Sequence, residues 1–370
     1  MSQRPLSVAI VGATGAVGRE MLAVLQQRRF PVGKLRLFAS ERSAGQTLRE
    51  GELGGTLQVA APGCFDGVDV ALFSAGSPVS KQWCIPAAEA GAVVVDNSSA
   101  FRMDSRVPLV VPEVNPHLAA DLRAARAGSG PASTLGLFGS RRGCLLANPN
   151  CSTIIMLVAV HPLMAAFGVE RLVVSTYQAA SGAGAHGRAE RLEQTRAVVS
   201  GGAAEPKVFT EPYAFNLFSH NSAMDPHHGL NVEETKMIHE SHKIWGSTSV
   251  RITATCIRVP VLRAHCESIN VTLARPATLN QVRAALRAAP GVRIIDDRAA
   301  NAFPTPLKAS GGDDVLVGRV RVDPSQSPDG LNTGPETPVR GFDLFIAGDQ
   351  LRKGAAQNAV QLAELVTIPA

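Results

Sequence analysis

The stretch Ser7-Val8-Ala9-Ile10-Val11-Gly12-Ala13-Thr14-Gly15-Ala16-Val17-Gly18 decides how the first half of this chain folds. Ser7 to Val11 is a β-rich run, and the glycines at 12, 15 and 18 follow it as G-x-x-G-x-x-G. Val17, Met21, Leu22 and Leu25 then recur at helical spacing. Glycine permits the sharp turn from strand to helix and lets a pyrophosphate approach the N–H groups at the helix's positive end. The bland alternative is a tight turn that binds nothing, because glycine-rich turns are common. A strand before it and a helix after it favour a dinucleotide site. Its expected contacts are Gly12, Thr14, Gly15, Ala16 and Val17.

Working outward, Lys34 to Phe38 reads as a second strand that leads into Ser40-Glu41-Arg42-Ser43. An acid here commonly holds the ribose hydroxyls of NAD, whereas an arginine accommodates the 2′-phosphate of NADP. Both are present. Arg42 between two hydroxyls suits a phosphate dianion, so NADP is the expected cofactor, with Ser40, Arg42 and Ser43 at its phosphate. Asp69 to Phe73 and Ala92 to Val95 are further short apolar runs, separated by a predicted helix over Val79 to Ala90. Such alternation predicts a mainly parallel, doubly wound sheet. From His117 to Gly143 the composition shifts to Ala, Arg, Gly and Ser, which reads as an inserted loop or loosely packed helix without chemistry.

After a helical pattern over Ile154 to Phe167 the character changes. Val169–Gln178, Ser249–Val259, Ala264–Leu273, Val315–Val322 and Gly341–Ala347 are β-type runs. They are interrupted by predicted helices at Ala185–Val199, Val232–Ile244 and Leu279–Ala289. The expected fold is therefore α/β, with a Rossmann-type dinucleotide-binding domain over 1–149 and an α+β catalytic domain with a largely antiparallel sheet over 150–349. A last helix, within 350–370 and spanning Leu351 to Val366, is expected to return to the first domain.

Composition agrees with a two-domain globular chain: 370 residues, 45% apolar and 18% charged. The net charge of +5 is spread along the chain without a basic block, and aromatics make up 5%, which argues against nucleic acid. No apolar run is long enough for a membrane span. The first residues show no signal-like segment, and the six cysteines, at 64, 84, 144, 151, 256 and 266, match no zinc or disulfide spacing. A reducing cytoplasm is the expected compartment. His220, His227, His228, His239 and His242 invite a metal reading, but they form no H-E-x-x-H and have no cysteine cluster, so no metal is expected.

Cys151 stands apart from the other cysteines. Asn148-Pro149-Asn150 and Ser152-Thr153 frame it with polar turn residues at the start of the predicted helix. A free thiol ionises near ~8.5, and a helix N-terminus favours the anion. The other five cysteines fit the commoner role of small buried hydrophobes.

These motifs, taken in order, resemble those of bacterial aspartate-β-semialdehyde dehydrogenases over nearly the whole chain. The similar segments are Gly12–Gly18, Arg42-Ser43-Ala44-Gly45, Asp96 to Met103 and Asn148 to Thr153. Ser175 to Gln178, Ser181 to Gly184, Glu233 to Lys236, Arg258 to Val261 with His265, and Lys353 to Ala356 with Asn358 complete the set. The resemblance implies Cys151 as the acyl-forming nucleophile and His265 as a general acid/base with a pKa near neutrality, taking the thiol proton when sulfur adds to aldehyde. It implies Gln178 to orient or polarise the substrate. Arg258 would grip the substrate α-carboxylate, Glu233 would face its amino group, and Arg102, Lys236 and Asn150 would receive phosphate. Ser74, Gly76, Ser181, Gly182 and Asn358 join the implied cofactor contacts.

The implied reaction is NADPH-dependent conversion of L-aspartyl 4-phosphate to L-aspartate 4-semialdehyde and phosphate by a homodimer built through the second domain. It belongs to lysine, threonine, methionine and isoleucine biosynthesis. Two other readings stay open: a related reductase of N-acetylglutamyl phosphate or glyceraldehyde-3-phosphate type, and a non-catalytic dinucleotide sensor. Taken singly, the residues also have plain structural roles. Arg258 and His265, seven apart, would lie on opposite faces of one regular strand, although Pro260 interrupts it. Glu233 and Lys236 could be a weak i,i+3 surface pair.

Overall fold

The computed structural model describes residues 4–128, 136–138 and 143–368, so part of the 117–143 segment (129–135 and 139–142) lies outside the described residues. The chain forms two compact units, residues 1–150 with 355–370, and residues 151–354.

The first unit contains β1 (Leu6–Val11), α1 (Ala16–Gln27), β2 (Val32–Phe38), β3 (Thr47–Glu50), β4 (Leu53–Gln58) and β5 (Val70–Phe73). It continues through α2 (Ser77–Glu89), β6 (Val93–Asp96), α3 (His117–Ala127), β7 (Leu137–Phe138) and β8 (Gly143–Ala147). Its sheet runs in the order β3-β4-β2-β1-β5-β6-β8-β7. β4, β2, β1, β5, β6 and β8 are parallel, and β3 and β7 add antiparallel edges. β5, β6 and β8 are buried throughout, as strands covered on both faces must be. The chain leaves β1 in one direction across the sheet and later returns on its other side at β5. That makes the carboxyl ends of these two strands a topological switch point, where ligands of open α/β sheets bind.

The β3–β4 hairpin was not anticipated, because Gly54 and Gly55 dilute its apolar pattern. The start of the 117–143 segment is a regular helix, α3, which ends at Gly128 in the left-handed region (φ 77°).

The second unit contains α4 (Cys151–Phe167), β9 (Val169–Gln178), α5 (Gly184–Val199), β10 (Phe218–Ser219), α6 (Val232–Trp245) and β11 (Arg251–Arg258). β12 (His265–Ala277), α7 (Leu279–Ala288), β13 (Val292–Ile294), α8 (Pro306–Ala309), β14 (Val315–Val322) and β15 (Val339–Gly348) complete it. The sheet order is β10-β11-β9-β12-β15-β14-β13, antiparallel except for β9 with β11 and β13 with β14. α4 packs on β9, β12, β14 and β15 and is enclosed further by α6 and α7. Nine consecutive residues, Ser152 to Val160, are buried; a helix apolar all round is one covered all round. This fixes the position of its first residue, Cys151.

The final helix is not continuous from Leu351. Arg352–Ala356 forms a π-helical turn before α9 (Gln357–Thr367), which packs on α1 and α3 of the first unit. The Gly354 N–H donates to Asp349 O at 3.0 Å, the wider i−5 link of such a turn. Among the described residues no helix is long and apolar enough to cross a membrane.

Candidate active site

In the first unit, the glycine turn is shaped by contacts that leave no room for side chains. Gly12 has φ +88°, and a β-carbon on it would lie 2.4 Å from Ser74 O; one on Gly18 would lie 2.3 Å from Gly12 O. The Ser74 N–H donates to Val11 O at 2.8 Å, so the two strand ends of the switch point meet here. Gly15 caps α1 without a side-chain cap hydrogen bond, and the first turn contains no acid. Its N–H groups and positive dipole end are therefore open to an anion. A pyrophosphate fits this turn. Gly76, with φ +85°, similarly precedes α2 without a side-chain cap. Ser40 and Arg42 are exposed and Ser43 half-buried beyond β2. Glu41 to Ser43 form one short 3₁₀ turn.

Arg102 is buried in the same unit. Its Nε donates to Asn148 O at 2.9 Å and its Nη2 to Asn97 O at 2.8 Å. Asn148 Nδ2 donates to Asn97 Oδ1 at 2.8 Å, and Asn358 Nδ2 donates to Asn148 Oδ1 at 2.7 Å and to Val110 O at 3.1 Å. The loop that carries Arg102 is anchored by Asp96, whose carboxylate accepts from Ser80 Oγ, Ser98 N and Ser98 Oγ. Burial pushes the Asp96 pKa up while these three donors pull against it. Asn358, placed among the cofactor contacts by sequence, is thus wholly buried and bridges Asn148 and Val110 through its amide. Asn150 is buried as well.

In the second unit, Cys151 is half-buried at the first position of α4. Gln178, Arg258 and His265 lie at the neighbouring ends of three adjacent strands. Arg258 of β11 is in register with Gln178 of β9 on one side. On the other, Cys266, the residue after His265, is registered on Tyr177. The parity objection disappears, because Arg258 ends one strand and His265 starts another. All three side chains are buried.

Gln178 Nε2 donates to Ser152 Oγ at 3.0 Å and to Glu233 Oε1 at 3.1 Å, and its Oε1 is left without a partner. Both amide protons are thus committed, so the free atom is an acceptor. Of the two roles expected for Gln178, orienting or polarising the substrate, the second finds no amide proton to spare in this arrangement. Glu233 sits in the first turn of α6, behind a capping box formed by Asn231 and Glu234. Lys236 Nζ donates to Glu233 Oε2 at 3.2 Å. Because Glu233 is buried, this is not the exposed i,i+3 pair that spacing alone allows.

Arg258 Nε donates to Asn221 Oδ1 at 3.3 Å and Nη1 to Ala179 O at 3.3 Å, and the guanidinium stands 5.6 Å from the Phe209 ring centre. Asn221 had no signal in the sequence. Gly182 passes so close that a β-carbon there would lie 3.1 Å from Arg258 Nη1 and 3.2 Å from His265 Cε1. Ser181 Oγ accepts a hydrogen bond from Gln350 Nε2.

His265 requires a correction. The sequence reading gives it a pKa suited to moving protons near neutrality, delivering one to the departing sulfur and taking it when the thiol adds to the aldehyde. In the structure it is fully buried, and burial first, then the Arg258 charge, push its pKa down to about 3. Its Nδ1 accepts from the Ala179 N–H at 3.0 Å, so the neutral ring holds its proton on Nε2. Nε2 is itself buried and has no partner. The resting imidazole is thus a neutral donor facing an unfilled need for an acceptor.

A family model described as semialdehyde dehydrogenase, NAD binding domain, matches residues 7–122, and one described as semialdehyde dehydrogenase, dimerisation domain, matches residues 160–353. The chain is 46% identical to an aspartate-semialdehyde dehydrogenase of Synechocystis sp. over 98% of its own length and 97% of the relative's. It is 42% identical to that of Aquifex aeolicus, over 97% of each. A crystal structure of aspartate semialdehyde dehydrogenase II from Vibrio cholerae, complexed with ASA, matches with a TM-score of 0.86 and 41% identity over 98% of both chains.

Proposed function

This chain belongs to the aspartate-semialdehyde dehydrogenase family, and on that premise we propose that it interconverts L-aspartyl 4-phosphate and L-aspartate 4-semialdehyde through a thioester on Cys151, with NADP as coenzyme. The observation that carries the reading is the orphaned His265 Nε2–H beside Arg258. A buried donor without an acceptor is costly unless a ligand oxygen completes it.

Cys151 attacks the acyl carbon as the thiolate, favoured by its place at the start of α4. The new sulfur–carbon bond replaces the bond from carbon to the phosphate oxygen, which leaves with its electron pair. His265 donates a hydrogen bond from Nε2 to the oxygen that gains negative charge, and the sulfur departs from the aldehyde carbon as the thiolate, ready for the next turnover. Arg258 grips the substrate α-carboxylate. Glu233, with Gln178 Oε1 unpartnered beside it, receives the amino group. Lys236 is the phosphate-binding cation of the second unit, and Arg102, with Asn150, that of the first.

Gly12, Thr14, Gly15, Ala16 and Val17 hold the coenzyme pyrophosphate, Ser40, Arg42 and Ser43 its 2′-phosphate, and Ser74, Gly76, Ser181, Gly182 and Asn358 complete its contacts. When bound, the coenzyme supplies the hydride that takes the acyl group to the aldehyde level. We place the enzyme in the cytoplasm as a homodimer joined through the second unit, the part similar to a dimerisation domain.

The test is an assay of NADP reduction with L-aspartate 4-semialdehyde and phosphate. The native protein should turn over only when phosphate is present, and Cys151→Ala should abolish turnover while NADP still binds. Retained phosphate-dependent reduction in that variant would defeat the thioester. Preference for N-acetylglutamate semialdehyde would move the chain to the related reductase.

A further inference from the structure

His220 plays no part in the scheme above, yet it stands beside the residues that do. It follows the two-residue strand β10, whose Phe218 is in register with Arg258, and its own N–H donates to Cys256 O at 2.8 Å. The next residue, Asn221, accepts from Arg258 Nε. The His220 ring is tied to the start of α6 through Ser222. The Ser222 N–H donates to His220 Nδ1 at 3.2 Å, Ser222 Oγ lies 3.1 Å from the same nitrogen, and the Glu233 N–H donates to Ser222 Oγ at 3.2 Å. This anchoring fixes the tautomer. Nδ1 accepts, so the neutral ring carries its proton on Nε2. Among the described residues nothing accepts from that Nε2–H.

Arg258 needs a second donor beside it. Its single Nε proton is spent on Asn221 and one Nη1 proton on Ala179 O. A side-on grip of a carboxylate, which uses Nε and Nη2, is therefore closed to it. A carboxylate offers about four acceptor positions, and in a site as enclosed as this one those left empty are costly.

We infer that His220 is a specificity-determining residue that donates its Nε2–H to the substrate α-carboxylate gripped by Arg258. The inference rests on the proposed function and deepens it. Burial, then the positive charge of Arg258, pushes the His220 pKa down to about 4, so the ring is a neutral donor at neutral pH. A neutral donor adds to the grip of Arg258 without repelling it, and places no second charge beside Lys236.

The experiment compares the native protein with His220→Phe and His220→Gln on two aldehydes. These are L-aspartate 4-semialdehyde and 3-aminopropanal, which keeps the amino group and lacks the α-carboxylate. Loss of one hydrogen bond to a charged group predicts a rise of about tenfold in KM for the semialdehyde in His220→Phe. Partial recovery is expected in His220→Gln, which restores an N–H. With 3-aminopropanal, kcat/KM of His220→Phe should match the native value within about twofold, because the contact is absent from both. Equal losses on both aldehydes would mean a structural role, and an unchanged KM would mean no contact; either overturns the inference. An inactive native protein would instead defeat the underlying reaction, and this inference with it.

Discussion

Gly354 lies against Cys151: a β-carbon added to Gly354 would come within 2.9 Å of the cysteine Cβ and 3.3 Å of its Cα. The π-helical turn delivers the backbone of residue 354 to this point, and only the absence of a side chain allows it. Gly354→Ala should therefore push the nucleophile out of place. Overpacking of this kind costs ~1–3 kcal/mol, and an ångström of misplacement at a reacting atom can lower the rate by about a hundredfold. A thermal melt alongside turnover separates the two effects; native turnover in the variant would show that the neighbour yields freely.

The turn after β1 makes a parallel case for the coenzyme. Gly12→Ala places a β-carbon 2.4 Å from Ser74 O in a conformation, φ +88°, that alanine rarely adopts. The strain is expected at ~1–3 kcal/mol, and the distorted turn should raise the KM for NADP by roughly tenfold or more. Fluorescence titration with NADPH gives the reading, and an unaltered affinity would remove this turn from the binding site.

Arg258→Leu should act chiefly on substrate capture. The guanidinium is buried at a strand end and already held by Asn221 and Ala179, so its remaining protons are positioned before substrate arrives. A buried hydrogen-bonded charge pair that loses one partner costs ~2–5 kcal/mol, which predicts a KM for L-aspartate 4-semialdehyde at least about thirtyfold higher. Steady-state kinetics decide it. A KM left at the native value would free Arg258 from the carboxylate.

His265 makes stability depend on pH in a definite direction. In the unfolded chain its pKa is 6.5 and in the fold about 3, so between these values the unfolded state binds the proton and the native state does not. Its contribution is whole above pH 6.5 and is lost as pH falls towards 3, by up to about 1.4 kcal/mol per pH unit. His265→Asn should flatten urea-denaturation midpoints across this window. Parallel curves would mean the imidazole is not buried neutral.

Glu267 carries the opposite sign. It lies two residues along β12 from His265, fully buried, with neither carboxyl oxygen hydrogen-bonded, and burial raises its pKa well above 4.5. The native state keeps this proton where the unfolded state releases it. Stability from this group is therefore full below pH 4.5 and is lost as pH rises. Glu267→Gln, neutral at every pH, should gain on the native protein from pH 5 to pH 8. A constant difference between the two denaturation midpoints would show the carboxyl to be solvated.

The residues differ in how far they could be read before the fold was known. Gly12, Gly15 and Gly18 announce their turn because the constraint is local: the strand before them and the helix after them are contiguous in sequence. Cys151 is legible for the same reason, since its polar frame and the apolar helix behind it are neighbours. The β3–β4 hairpin and the π turn at Arg352–Ala356 were hidden, the first by short exposed strands, the second because hydrophobic periodicity does not distinguish a wider turn from an α-helical one.

The order of elements, the sharp glycine turn and the identity of the one cysteine set at a helix start were determined by sequence alone, because each depends on residues a few positions apart. Tertiary structure decided that Arg258, Gln178 and His265 stand side by side, which requires β11 and β12 to flank β9. It also decided that His265 is a neutral donor and that His220 and Asn221 belong beside Arg258. Proton affinity follows from burial and from charges brought in by distant segments, and no periodicity along the chain records which segments those are.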